Sequence, residues 1–293
     1  MKTTVLAHAK INLFLDITGR RPDGYHTITG VMQAISLHDE VTVEITEGCS
    51  GITLTCSDPT LPSDEKNLGW RAARAFLDET GPELAVNIHI EKHIPAAAGM
   101  AGGSTDAAAV LRALNTLCNA PLTEDALRRV GLSLGADVPF CLAGGTHLTE
   151  GVGEVLTPVS PLPDCDIVVA CAGEGVSTPA AYKSLDEMYG HFDGSVYTPR
   201  YAHLDALRTA LTDADLDGVA QNAYNIFESA VLPVRPVAQS IRDTLEAHGA
   251  CLAMMSGSGP SVFGLFRRGN ASAALDALRS MGIPTWLCRP ENV

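Results

Sequence analysis

The chain has 293 residues, with 34 acidic against 20 basic side chains and a formal net charge of −14. Hydrophobic residues make up 46%, enough for buried cores, and the length exceeds what one core commonly serves, so two lobes are expected. The acidic balance argues against a nucleic-acid or anionic-membrane binder, which needs a basic face, but leaves a nucleotide ligand open, because a few backbone N–H groups can hold a phosphate.

The first third reads as strand-rich. Residues 3–18 are mostly apolar and β-branched and stop at the turn-like cluster GRRPDG. Residues 41–45 alternate apolar and polar, the period of a half-buried strand, and 52–56 reads as its neighbour. Leu68, Ala72, Ala75 and Phe76 repeat at the helical period and predict a helix over 67–79, closed by Gly81-Pro82. Residues 85–92 alternate again. The small-residue run PAAAGMAGGST and the apolar run DAAAVLRALNTL then give a strand, a loop and a helix in succession. A helix over 123–134 follows, with Thr123 as its N-cap.

The proline-rich stretch TPVSPLP marks a boundary, dividing the chain into 1–158 and 159–293. Beyond it the pattern predicts a buried strand (167–171), a helix (178–189), an irregular surface loop (190–201) and helices at 204–211, 216–230 and 236–248. Strands at 251–255 and 262–266, a helix at 271–281 and a last strand at 285–288 complete an α+β sandwich. None of the eight cysteines forms a C-x-x-C pair, and several sit in apolar runs, which reads as reduced, buried thiols of a cytoplasmic protein. The N-terminal apolar run is too short for a signal peptide, and no stretch reaches the ~20 apolar residues of a membrane span.

Five features carry chemistry. Residues 95–105 form a loop of small residues opening a helix, where unpaired N–H donors and the positive dipole end suit phosphate oxygens. Gly99, Gly102 and Gly103 let the backbone approach closely, and Ser104 and Thr105 add hydroxyls that could also bind Mg²⁺. The loop has no Walker lysine, and a plain connector would read the same way. Lys10 stands in the apolar stretch AHAKINLFLDIT, as either a strand-edge lysine or a buried cation with a task. Asp137, in LGADVPF, is a turn or cap residue, or a base. Asp23 and Gly24 are explained by a turn; Tyr25 and His26 beside them suit a flat base. Residues 256–260, SGSGP, form a hairpin loop or a second phosphate-side backbone.

Taken in order, the lysine segment, the P-x₃-G-x₂-G-G-S loop and the S-G-S-G-P loop resemble the GHMP kinase family over nearly the whole chain. The segments AKINLFLDITGRRPDGYHTI, LGADVPF and EGVGEVLTPV are similar to the branch that phosphorylates a cytidine diphosphate derivative of methylerythritol in the non-mevalonate route to isoprenoids. This resemblance implies an α+β fold of two lobes, the first like the second domain of ribosomal protein S5 and the second ferredoxin-like, with ATP and substrate in the cleft between them. It implies an ATP- and Mg²⁺-dependent phosphotransferase acting on the 2-hydroxyl of the small-molecule substrate, with neither nucleic acid nor membrane as partner.

The same resemblance makes Asp137 the catalytic base and Lys10 its cationic partner. It places the nucleotide phosphates on Pro95, Ala96, Ala97, Ala98, Gly99 and Met100, continuing through Ala101, Gly102, Gly103, Ser104 and Thr105. Asn67, Leu68 and Lys92 fall around the adenine. Asn12 falls on the substrate side, Tyr25 and His26 on the cytosine, Tyr182 as the second aromatic of that sandwich, and Thr178 nearby. Ala96, Ala97 and Ala101 stand where the family more often has glycine; alanine is tolerated there if the dihedrals are ordinary. A homoserine- or mevalonate-type kinase of the same fold, and a sensor that binds without turnover, are the alternative readings.

Overall fold

The computed structural model describes residues 1–81, 83–171, 173, 175–192, 194 and 196–292. The chain forms two compact units. One comprises Met1–Ala9, Leu37–Ala96 and Ala101–Gly144; the other comprises Lys10–Ser36, Ala97–Met100 and Gly145–Val293. The units interleave in sequence because two long strands, β1 (Lys2–Arg20) and β2 (His26–Glu47), each contribute one part to either unit.

In the first unit β3 (Gly51–Cys56) leads through α1 (Leu68–Thr80) to β4 (Leu84–Glu91). The strand order is β3-β4-β2-β1. Residues 52–56 are therefore not the neighbour of 41–45: β4 lies between them, antiparallel to β2 and parallel to β3. The α1 crossover permits the parallel pairing, which a short turn could not. Asn67 caps α1 by accepting from the Gly69 amide at 2.8 Å, and Gly81 ends it at φ 79°. The alternation in β4 buries Leu84, Val86, Ile88 and Ile90 against α1, which turns Ala72, Ala73, Phe76 and Leu77 inward. Next come α2 (Gly102–Leu117), its apolar flank wholly buried, and α3 (Glu124–Leu134), capped by Thr123. The short α4 (Val138–Ala143) starts at Asp137, where the sequence pattern gave only a turn.

In the second unit, β5 (Thr146–Gly151) pairs with the first half of β2 and with β6 (Val155–Pro158), two strands that the sequence reading missed. β7 (Asp166–Ala170) is buried at every residue. α5 (Thr178–Tyr189) matches its predicted bounds. Tyr189 begins an aromatic cluster with Phe192 and Tyr197, so the described part of 190–201 is packed, not a loose surface loop; residues 193 and 195 lie outside the described residues.

α6 (Tyr201–Thr212) follows. The single helix expected over 216–230 is instead α7 (Leu216–Asn222), the two-residue β8 (Tyr224–Asn225) and α8 (Glu228–Val231). Pairing of Tyr224 and Asn225 with Phe14 and Leu15 of β1 interrupts the helical path, a long-range bond overriding local propensity. α9 (Pro236–Ala247), β9 (Leu252–Met255), β10 (Val262–Phe266), α10 (Ser272–Ser280) and β11 (Thr285–Cys288) complete the chain. The second sheet runs β11-β7-β10-β9, every pair antiparallel, which is the ferredoxin-like order. Its core joins Val168, Val262 and Phe266 to Ile241, Leu245 and Leu278 of the covering helices.

No disulfide joins the eight cysteines. No helix among the described residues is long and apolar enough to cross a membrane.

Candidate functional site

The small-residue loop passes through both units: Ala97–Met100 belongs to the second, and the residues on either side belong to the first. In the first unit α2 begins at Gly102 behind Ala101, which holds a left-handed conformation (φ 60°, ψ 25°) and offers no side-chain cap. The first-turn N–H groups of a helix lack intrahelical partners, and the first turn of α2 carries no acidic residue, so donors and dipole are left for an anion. Ser104 is half-buried at this end. The hydroxyl of Thr105 donates to His8 O at 2.8 Å, so of the two hydroxyls Ser104 is the more available to a ligand.

Ala97 is also left-handed, at φ 51°. Two of the three alanines therefore do not have the ordinary dihedrals that the sequence reading required, and the loop keeps its path at a local strain of roughly 1–2 kcal/mol each.

In the second unit the loop meets SGSGP backbone to backbone. A Cβ on Gly99 would fall 2.1 Å from the Ser256 carbonyl oxygen, and one on Gly257 would fall 3.0 Å from Gly99 O. Ser256 Oγ donates to Gly99 O at 3.0 Å. Asn225 holds the SGSGP loop from behind, its Nδ2 donating to Met255 O at 2.7 Å and Gly257 O at 2.8 Å. The sequence gave no signal for Asn225, because its neighbours read as helix.

Lys10 enters the same cluster from β1. Its backbone N–H donates to Met100 O at 3.2 Å, and a Cβ on Gly257 would lie 3.3 Å from its Nζ. The side chain is buried (4% exposed) and donates to Asn12 Oδ1 at 2.7 Å, two residues along the same face of the strand. Among the described residues no carboxylate forms an ion pair with it. A buried ammonium with only an amide oxygen for company strongly favours an arriving anion.

Asp137 sits in the first unit at the N-cap of α4, half-buried, and its carboxylate makes no capping bond. It is not the structural cap that its position suggests, so its oxygens are available. Gly135 beside it faces the start of α2, a Cβ there lying 3.9 Å from Ser104 Oγ.

The base-binding candidates gather in the second unit. Tyr25 projects from the β1–β2 turn at 66% exposure, its N–H donating to Asp23 Oδ1 at 3.2 Å. The His26 ring stacks on Tyr182, 4.7 Å between centroids and 14° from parallel, and the edge of Phe227 completes the packing at 4.9 Å. Tyr182 thus presents a face to His26 before any ligand arrives. Asp186, one turn after Tyr182 on α5, fixes His26 through an Nε2–Oδ1 contact of 2.7 Å and faces Arg20 at 3.5 Å. Thr178 bonds Ser258 Oγ at 2.8 Å and so links α5 to the SGSGP loop.

Of the adenine candidates, Asn67 is occupied as the α1 cap and in donating to Pro62 O, with Leu68 the first residue of that helix. Lys92 is largely buried and its ammonium is shared between Asp39 and Asp106. Neither aspartate stood out in the sequence, since nothing local predicts a contact across 53 positions.

Among the described residues no group of three or more His, Cys, Asp or Glu is disposed to hold a metal ion. The donor set therefore fits Mg²⁺ only as a nucleotide-borne ion, to which the Ser104 hydroxyl could add one ligand.

Comparison with known proteins agrees with this geometry. The family model for the GHMP kinases N terminal domain matches residues 67–145, and that for GHMP kinases C terminal matches 206–283. A Clostridium perfringens (strain SM101 / Type A) protein named 4-diphosphocytidyl-2-C-methyl-D-erythritol kinase is 41% identical over 260 residues, covering 89% of this chain and 87% of that one. One of the same name from Caldicellulosiruptor saccharolyticus is 40% identical over 274 residues, covering 93% and 91%. A crystal structure of 4-(cytidine 5'-diphospho)-2C-methyl-D-erythritol kinase shares 32% identity at a TM-score of 0.79, over 99% of this chain and 100% of that one. Homoserine kinase from Cytophaga hutchinsonii, 20% identical at a TM-score of 0.76 over 99% and 95% of the two chains, shares the fold. The chain belongs to the GHMP kinase family.

Proposed function

We propose that this chain transfers the γ-phosphoryl group of ATP to the 2-hydroxyl of 4-diphosphocytidyl-2-C-methyl-D-erythritol, in the cytoplasm, as a step toward isoprenoid precursors. The observation that carries the reading is the 41% identity, over 89% of the chain, to a kinase named for that substrate. The local geometry supports it: an aromatic pair suited to a base in the second unit, and an uncapped helix start suited to phosphates in the first.

In the proposed step the substrate hydroxyl oxygen bonds to the γ-phosphorus as the bridging P–O bond to the β-phosphate breaks. The bonding pair leaves with ADP, and the hydroxyl proton passes to the Asp137 carboxylate. The Lys10 ammonium offsets negative charge on the transferring group, with Asn12 orienting it. The N–H groups from Gly102 to Ser104 hold phosphate oxygens, and the residues Pro95–Met100 shape the approach. Mg²⁺, when bound with the nucleotide, neutralises charge on the phosphates. Leu68 and the neighbouring Asn67 flank the adenine. Tyr25, His26 and Tyr182 hold the cytosine, with Thr178 beside them.

A coupled ADP-release assay tests the reading. Turnover is expected with the cytidylyl substrate and not with homoserine or mevalonate, and CDP is expected to inhibit. Turnover of either small alcohol in preference, or indifference to CDP, would overturn the substrate assignment. Tight binding of the cytidylyl compound with no ADP release would return the chain to the sensor reading.

A further inference from the structure

Three chain segments meet at Lys92. Its Nζ donates to Asp39 Oδ2 on β2 and, at 2.7 Å, to Asp106 Oδ2 on α2. The other oxygen of Asp39 accepts the backbone N–H groups of His93 (2.5 Å) and Ile94 (2.8 Å), the last residues before the phosphate loop. Asp39 is fully buried and Asp106 is 4% exposed. The two ends of the loop are also pressed together: a Cβ on Gly102 would fall 3.2 Å from Ile94 Cγ2 and 3.4 Å from Lys92 Nζ. One buried carboxylate therefore fixes where the chain enters the loop, another fixes the helix that leaves it, and a single ammonium joins the two. A buried arrangement of this kind costs desolvation, and hydrophobic residues of similar volume would often serve stability as well. What it provides beyond stability is a fixed geometry.

We infer that Asp39, Lys92 and Asp106 are positioning residues for the nucleotide, stapling the end of β4 to the first turns of α2 so that the helix-start N–H groups are held where the phosphates bind. Lys92 acts through the loop rather than by touching the adenine, the role that the family resemblance implied for its position. Asp106 Oδ1 is buried without a hydrogen-bond partner, which leaves the pair of carboxylates one interaction short and the staple dependent on Lys92. The inference rests on the kinase reading for its ligand, and its test does not depend on turnover.

The test is calorimetric titration of the full chain with ADP and Mg²⁺, on wild type, Lys92→Met, Asp106→Asn and the double variant, with KM for ATP and for the cytidylyl substrate measured alongside. Displacing the loop by a fraction of an ångström weakens ADP about ten-fold in Lys92→Met and raises KM for ATP in step, with KM for the cytidylyl substrate within two-fold. In Asp106→Asn, which keeps volume and a hydrogen-bonding oxygen, the loss is about three-fold. The double variant is expected to lose little more than Lys92→Met alone, because both changes break the same staple. Full additivity would show that Lys92 contacts the nucleotide directly and would overturn the inference. So would ADP affinity within 1.5-fold of wild type in Asp106→Asn, which also decides the matter if Lys92→Met does not fold. Equal rises in both KM values would mark general damage and likewise count against it. A wild type that binds ADP but fails to turn over the cytidylyl substrate would refute the kinase assignment and leave the staple to be judged on ADP affinity alone.

Discussion

Gly99 and Ser256 touch through their backbones, 157 positions apart in sequence, with the Ser256 hydroxyl bonded to the Gly99 carbonyl at 3.0 Å and no room for a Cβ between them. The small-residue loop and SGSGP are one packed backbone surface beside Lys10, where the sequence showed two separate glycine motifs. Gly99→Ala places a methyl 2.1 Å from a carbonyl oxygen at φ 76°, where the neighbour is backbone and cannot swing away. The variant is expected to lose about 2–4 kcal/mol of stability and most of its activity. Thermal unfolding within 2 °C of wild type would show that the contact is looser than described.

Ala101 offers the opposite change. Its φ of 60° is costly for alanine and free for glycine. Ala101→Gly is expected to gain up to about 1 kcal/mol, offset in part by the greater entropy of the unfolded chain, and to leave KM for ATP within two-fold. A large fall in KM for ATP would show that the strain distorts the phosphate site.

Asp137 separates chemistry from stability. Its side chain makes no capping bond, so Asp137→Asn should shift the melting temperature little. If the carboxylate takes the hydroxyl proton, kcat falls about 10²–10⁴-fold with both KM values nearly unchanged. A loss of less than about ten-fold would assign Asp137 an orienting role.

Asp186 supports the ring of His26 from α5. Asp186→Ala frees the imidazole, so KM for the cytidylyl substrate should rise about ten-fold while KM for ATP holds. Equal effects on both would place Asp186 in general packing instead.

Asp16 gives a pH dependence. Burial pushes its carboxyl above the usual range, opposed by the Tyr197 hydroxyl at 2.6 Å, the Arg200 N–H and the Ile17 N–H. Between the ordinary value of 3.8 and the raised folded value, the native state holds a proton that the unfolded chain has released. The contribution of Asp16 to stability is therefore largest below 3.8, falls as pH rises through that window, and is constant above it, at a slope of at most about 1.4 kcal/mol per pH unit. Asp16→Asn lacks this slope, so denaturation midpoints of variant and wild type should diverge with rising pH in that range. Parallel profiles would exclude the shift.

The sequence by itself determined the elements whose signals are local. The Thr123 cap, the bounds of α5, β10 and β11, the alternation of β4 and the order of the three family segments all depend on spacing within one stretch of chain. It also placed Lys10 and Asn12 on one strand face, since side chains two apart share a face. Tertiary structure decided the rest, because the deciding partners are distant in sequence. The insertion of β4 between β3 and β2, the break of the 216–230 helix by β8 and the stacking of His26 on Tyr182 follow from such partners. So does the sharing of Lys92 between Asp39 and Asp106, where burial turns an ordinary exposed-looking lysine into a paired one. The left-handed turns at Ala97 and Ala101 belong here too: alanine carries no local preference for that conformation, and only the packing around the loop imposes it.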